Sequence, residues 1–390
     1  MSTARPIRVM NVISRLNIGG ISPYVIPLTA HLRAMGYHSQ LVAGSLGQRE
    51  GDMSYLAARS GVEVINVPSL GRDISPLRDG ATIAALWRLM RRERPDIVHT
   101  HTAKAGFAGR IAAWLARVPL IFHTYHGHVF AGYFGPAKTR FYLALEQFSA
   151  RLSTRIVAVS ENLRRELGEV HRVAPPDKIE VVIPGYELGA LAQVRRGQGD
   201  FRERHGIPPA APLVGIVGRL VPIKHHALFL ESAALVRERI PDARFAIVGD
   251  GELRPAAEAQ TATLGLADCV HFTGWTNDLA SVYGALDALA LCSKNEGLPS
   301  SIIEALVTGV PVAATAVGGV VDLLAGGLGR LVPSGDAPGL AAALVDVLTD
   351  PAARQQAEAN RAAALARYDM APSAARAAAF YRRFMVGPAR

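Results

Sequence analysis

A chain of 390 residues, 49% of them hydrophobic, is longer than one core usually grows and holds apolar material for two. Its two cysteines, Cys269 and Cys292, exclude a disulfide framework and a cysteine metal site, and they read as reduced core residues. The net charge of +9 lies wholly in residues 1–190, with 23 Lys and Arg against 14 Asp and Glu. The remainder holds 19 of each, so the first half suits an anionic partner: nucleic acid, a phosphate-bearing ligand or anionic lipid.

The first residues, Met1 to Pro6, are polar and run directly into a strand-like segment, so no secretory leader is read there. Strands are predicted at 9–13, 40–43, 62–67, 97–100, 120–124, 156–159 and 179–183, with helices at 24–35, 78–94, 105–116 and 138–152. Short apolar strands alternating with helices indicate a parallel sheet covered on both faces. Residues 185–212 break the pattern with Arg195, Arg196, Gly197, Gly199, Gly206, Pro208, Pro209 and Pro212, and read as a linker with a small helix.

The alternation then restarts. Strands are expected at 213–217, 244–248, 270–272, 288–291, 312–315 and 330–332, with helices at 226–239, 252–264, 278–286 and 300–308. Three helices close the chain, at 338–348, 351–367 and 374–384. The apolar run 306–328 is broken by Gly309, Pro311, Gly318, Gly319 and Asp322, whereas a membrane span needs ~20 uninterrupted residues. A cytoplasmic protein is therefore expected. The predicted fold class is α/β: two facing doubly wound, Rossmann-like domains, 1–188 and 213–370, joined by a linker at 189–212. Residues 371–390 form a helix crossing back to the first domain. Ligands of such sheets bind beyond the carboxyl ends of the strands, so chemistry is expected in a cleft between the domains.

The sharpest chemical signal follows the strand at 288–291. Glu296 and Glu304 stand seven residues apart and frame Gly297, Leu298 and Pro299. Glu296 falls in a loop. Ser300 can cap the next helix, and Glu304 lies one turn inside it, pointing back to its start. An ionised carboxylate accepts two hydrogen bonds at once, which suits vicinal hydroxyls of a sugar or ribose. A second signal is Gly218-Arg219-Leu220 with Lys224, after the first strand of the second half. Gly218 allows close backbone approach, Arg219 can grip phosphate oxygens bidentately, and Lys224 adds a point charge. Glycine pairs at Gly318-Gly319 and Gly19-Gly20 precede helices and offer backbone N–H groups to an anion. They and Gly249-Asp250-Gly251 lack the spacing of a dinucleotide fingerprint, which argues against a nicotinamide enzyme.

Five histidines, His99, His101, His123, His126 and His128, raise the question of zinc, but no acidic or cysteine ligand is near them in sequence and no metal is expected. His126 and Gly127 stand just past a strand end, where they can reach a bound sugar. His99 and His101 read as structural.

Together these motifs resemble the family 4 glycosyltransferases, whose architecture is the glycosyltransferase-B fold. The resemblance spans essentially the whole chain and is densest over 213–333. It implies a retaining, metal-independent transfer from a nucleotide-diphosphate sugar, most simply a UDP-sugar, with no other cofactor. It implies that Arg219 and Lys224 bind the donor diphosphate, Glu296 the donor sugar and Glu304 the ribose. His126 would lie beside the anomeric carbon, with Gly19 and Gly20 near phosphate and acceptor. Gly218, Gly297, Leu298, Gly318 and Gly319 complete the donor site. No carboxylate is placed as a nucleophile, so attack and departure on one face, with cations absorbing the leaving charge, fit better than a covalent intermediate.

The stretch His101-Thr102-Ala103-Lys104-Ala105-Gly106 with Gly109-Arg110 and His126-Gly127-His128 is similar to the branch building exopolysaccharide, capsule and O-antigen units. That implies a polyprenyl-diphosphate-linked acceptor and peripheral contact with an anionic membrane, not nucleic acid. The cluster Arg88, Arg91, Arg92 and Arg94 marks a docking end. Two positions depart from the family: Pro184-Gly185-Tyr186-Glu187 where Asn-Gly is frequent, and Asp322 where Glu is usual. The alternatives are a nucleotide-sugar 2-epimerase of the same architecture, or a non-catalytic sugar-nucleotide-binding protein.

Overall fold

A computed structural model of the chain describes residues 5–47, 51–71, 75–128, 130 and 134–385. Most of the polar start read above for a leader lies outside these residues. The chain divides into two compact units, Met1–Glu187 with Met370–Arg390, and Leu188–Asp369.

The first unit runs β1 (Arg8–Arg15), α1 (Ser22–Ala34), β2 (His38–Gly44), α2 (Ser54–Arg59), β3 (Val64–Asn66), α3 (Pro76–Glu93), β4 (Ile97–His101), α4 (Ala103–Leu115), β5 (Leu120–Tyr125), α5 (Pro136–Leu152), β6 (Arg155–Ala158), α6 (Glu161–Arg165) and β7 (Ile179–Val181). Its strands form one parallel sheet in the order β3-β2-β1-β4-β5-β6-β7. β1 and β4 are buried along almost their whole length, as expected for central strands covered on both faces. Glycines seat α4 on this sheet: a Cβ at Gly106 would lie 2.4 Å from the His123 ring, and one at Gly109 2.7 Å from Thr100. One turn on, Arg110 is fully buried and donates to the Gly106 carbonyl at 2.8 Å and to Glu146 of α5 at 2.5 Å, where the Tyr125 hydroxyl also donates. A buried charge is tolerable only with such pairing.

The second unit begins with α7 (Gly189–Ala192) and α8 (Phe201–Arg204), then β8 (Leu213–Val217), α9 (His226–Arg239), β9 (Arg244–Val248), α10 (Arg254–Thr263), β10 (Val270–Gly274), α11 (Leu279–Ala285), β11 (Ala288–Leu291), α12 (Ser300–Thr308), β12 (Val312–Thr315), α13 (Val320–Leu323), β13 (Arg330–Val332), α14 (Ala337–Thr349) and α15 (Pro351–Tyr368). Its parallel sheet has the order β10-β9-β8-β11-β12-β13. Strand order reverses beside β8, the switch point at which such sheets bind ligands. The irregular stretch 189–212 is bound into this unit. Gly197 donates to the Gly284 carbonyl at 2.8 Å, and Arg202 reaches buried Asp287 at 2.9 Å.

The last helix, α16 (Met370–Met385), lies in the first unit. It packs on α1, buries Ala374, Ala377, Ala378, Phe380 and Tyr381, and accepts the Tyr37 hydroxyl at the Ala378 carbonyl. Both cysteines are buried and free.

Candidate functional site

In the second unit the predicted residues collect at the carboxyl ends of β8, β11 and β12. Gly218 follows β8 with φ +154° and donates to the Val248 carbonyl at 2.9 Å. Its loop runs directly against the one after β9. A Cβ at Gly249 would sit 2.1 Å from the Gly218 oxygen, and one at Gly251 2.4 Å from the Leu220 oxygen. The Gly249-Asp250-Gly251 motif is thus a backbone seat for the cation loop. Arg219 is exposed and makes no side-chain hydrogen bond or ion pair among the described residues. Lys224 ends a 3-10 turn and curls back. Its Nζ donates to Oε1 of Glu296 at 2.6 Å, and the Ser293 hydroxyl donates to the same oxygen at 2.6 Å.

Two sequence expectations are corrected here. Ser300 does not cap α12: Pro299 holds the cap position, and the Ser300 hydroxyl faces Glu304, whose charged form it favours. Glu304 also accepts from the Tyr283 hydroxyl of α11 at 2.6 Å, and burial raises its pKa above the usual carboxylate value. The second correction concerns Gly319 of the Gly318-Gly319 pair, its amide read as free for an anion. The Gly319 N–H donates to the Glu296 carbonyl at 3.1 Å, and Gly318, at φ +47°, leaves room for that oxygen only 1.9 Å from where a Cβ would stand. The pair clamps the Glu296 loop. Gly297 is buried and Leu298 half-buried between Glu296 and α12.

In the first unit, Gly19 and Gly20 join β1 to α1, and His126 follows β5. His126 is half-buried, with the Tyr24 ring edge-on at 5.6 Å and Nδ1 of His101 3.1 Å from its Nε2. His101 stacks on His99 at 4.4 Å. His99 in turn bonds the Tyr381 hydroxyl of α16 and Thr124, both at 2.6 Å. Burial drives the pKa of His99 and of His126 down to about 3, and holds His101 and His123 well below the ordinary value. These rings are neutral.

The tautomers follow from the bonds. Nε2 of His101 is buried without a partner among the described residues. Buried donors go unpaired less often than buried acceptors, which favours the tautomer with the His101 proton on Nδ1, donated to Nε2 of His126. His126 then carries its own proton on Nδ1 and is a neutral donor, not a base. Glu166, distant in sequence, bonds Nε2 of His128 at 2.9 Å. Among the described residues, no three His, Cys, Asp or Glu side chains converge in a metal-binding group.

Several contacts escaped the sequence reading. In the first unit Tyr24 and Tyr381 reach the histidines from α1 and α16, and in the second Tyr283 reaches Glu304 from α11. Thr102, between β4 and α4, holds φ +70°, a strained value for a β-branched residue, and its hydroxyl lies 2.6 Å from that of Ser14. Only the Ser293 contact, three residues from Glu296, was within local reach.

Comparison with known proteins decides the family. Residues 19–185 match the "Glycosyl transferase 4-like domain" family and residues 211–350 the "Glycosyl transferases group 1" family. An Escherichia coli UDP-Gal:alpha-D-GlcNAc-diphosphoundecaprenol alpha-1,3-galactosyltransferase is 36% identical over 66% of this chain and 67% of its own length. The chain belongs to the glycosyltransferases. A 2-deoxystreptamine N-acetyl-D-glucosaminyltransferase of Streptomyces fradiae is 33% identical over 69% of this chain, with slightly under two thirds of that relative, 66%, covered. The crystal structure of Anabaena HepE in complex with UDP and glucose superposes with a TM-score of 0.81 over 96% of this chain and 99% of its own, at 20% identity, and so shares the glycosyltransferase-B fold. These relatives are transferases, and the epimerase alternative finds no support among them.

Proposed function

We propose that this glycosyltransferase moves a hexosyl or N-acetylhexosaminyl group from a UDP-sugar to a polyprenyl-diphosphate-linked acceptor, with retention and without a metal. The observation that carries this reading is the Lys224–Glu296 pair at the sheet's switch point, beside exposed Arg219. A diphosphate arriving there draws the Lys224 ammonium and the Arg219 guanidinium. Glu296 is then released to accept hydrogen bonds from sugar hydroxyls, while Glu304 is positioned for the ribose. The bond from the anomeric carbon to the β-phosphate oxygen breaks as the acceptor hydroxyl bonds that carbon from the same face. The acceptor proton passes to the departing phosphate, whose charge the two cations stabilise. His126, neutral, donates from Nδ1 to the sugar.

The uridine donor and the lipid-linked acceptor are supported by the named activity of the Escherichia coli relative. Action at the inner face of the membrane follows from that acceptor. No helix among the described residues is long and apolar enough to cross a membrane, so contact would be peripheral. The test is incubation with UDP-hexoses and a synthetic polyprenyl-diphosphate-linked sugar, in chelator. An α-linked product is expected from an α-linked donor. Donor consumption without an acceptor-linked product, an inverted anomer, or activity lost in chelator and restored by manganese would each refute the corresponding part.

A further inference from the structure

The outer face of α5 is unlike that of an ordinary surface helix, where the solvent stripe is polar. Ala137, Phe141, Ala144, Phe148 and Arg151 follow one another at steps of four, three, four and three, so they share one stripe, and all five are exposed. Phe141 is 58% exposed and Phe148 49%. They stand about 10 Å apart along the axis. On neighbouring α4, Trp114 is 57% and Leu115 48% exposed.

The exposed charge of these two helices and their ends has one sign. Lys138, Arg140 and Arg151 of α5, and Arg117 just after α4, are exposed and form no ion pair among the described residues. Between residues 103 and 153 the one acidic side chain is Glu146, which is buried against Arg110 and Tyr125 on the inner face of α5. No exposed carboxylate from these two helices opposes an anionic surface.

We propose that the outer face of α5, with the end of α4, is a membrane-docking surface that seats Phe141 and Phe148 among the headgroups of an anionic bilayer. This deepens the lipid-linked acceptor reading above, and it moves the contact from the arginine end of α3 to an aromatic stripe. A convex stripe of Phe and Ala presents no hydrogen-bonding groups to read a base. A bilayer asks only for apolar bulk at the acyl boundary and cations at headgroup height, where Lys and Arg stems lie along the apolar layer with their charges in water.

The test is flotation of the full chain with phosphatidylcholine vesicles and with vesicles that also contain phosphatidylglycerol. Native protein is expected to float with the anionic vesicles, less so as salt rises. The double variant Phe141→Ser/Phe148→Ser should lose binding by roughly tenfold or more. The variant Lys138→Gln/Arg140→Gln/Arg151→Gln should bind more weakly and with a flatter salt dependence. Both should fold, because the changed side chains are exposed, and both should keep transfer to a water-soluble acceptor analogue. The proposal is overturned if native protein floats equally with both vesicles or with neither, or if the phenylalanine variant floats like the native. It also falls if native protein forms a concentration-dependent dimer that the phenylalanine variant abolishes, since the stripe is then an interface between copies. Failure of native protein to transfer to any acceptor would instead refute the functional reading and leave the flotation result to stand on its own.

Discussion

Lys224 and Glu296 hold each other, so on the proposed function removing either charge has two effects: it takes away a donor contact and leaves the other charge unpaired. Lys224→Ala and Glu296→Gln should each lower turnover by roughly a hundred- to a thousandfold, the usual cost of losing a group that stabilises developing charge. Melting temperatures should stay close to native, because both groups are partly solvated. Steady-state kinetics with circular dichroism checks this, and a variant keeping a third of native turnover would remove the pair from the site. His126 permits a second residue-scale prediction. A ¹⁵N spectrum of labelled histidines should show it neutral at pH 6 with its proton on Nδ1, and His101→Leu should relax that tautomer. A ring titrating near 6.5 would contradict both burial and bonding. The motifs holding Arg219 with Lys224 and Glu296 with Glu304 stood out in the sequence because each is a short run of spaced residues, and the structure brings Lys224 onto Glu296. Tyr381 was not, since it meets His99 across 282 residues and no local pattern encodes that contact.

Among the elements, the strands were well placed because apolar runs bounded by turns survive any detail of packing. The helices at 300–308 and 338–348 were read to within a residue at each end. The short helices α2, α6, α7 and α8 were missed or left indefinite, being too brief to show a helical period and held by tertiary contacts instead. Glycine roles were the least legible feature, because a glycine pair looks the same whether it binds an anion or admits a carbonyl. Gly318 and Gly20 make the contrast measurable. Gly318→Ala forces a Cβ onto the Glu296 carbonyl at positive φ, so it should cost about 1–3 kcal/mol and lower turnover by displacing Glu296. At Gly20 the nearest atom to a new Cβ is the Tyr186 hydroxyl at 3.8 Å, an ordinary contact. Gly20→Ala should leave the melting temperature unchanged, and any loss of activity there belongs to ligand contact. Equal melting temperatures for the two variants would refute the clamp.

At the scale of the whole molecule, the two units differ in what acid does to them. Four neutral histidines cluster in the first unit, three buried and one half-buried: His99 and His126 with pKa values near 3, His101 and His123 lower than the ordinary value by a wide margin. In the second unit, His226 has its pKa pushed to about 4, and the smaller shifts of His205, His225 and His271 are in the same direction. A folded-state pKa below the unfolded value of about 6.5 means that the unfolded chain binds more protons between them. Stability from each group is therefore present above about pH 6.5 and is lost as pH falls toward the folded value. Each histidine contributes a slope of up to about 1.4 kcal/mol per pH unit, so four together approach roughly 5 kcal/mol per unit, against a total of ~5–15 kcal/mol for a domain. The first unit should open before the second on acidification. Hydrogen exchange at pH 7.5, 6 and 5 would locate the loss: protection should fall first in β4, β5, α4 and the α16 segment around Tyr381, whose hydroxyl is tied to His99. A single-site control is His99→Gln, which removes one titrating ring and should shallow the acid slope of the first unit alone. Loss of protection in β8 and β11 at the same pH, or an acid slope unchanged in the His99 variant, would show that the histidine cluster does not set the acid limit.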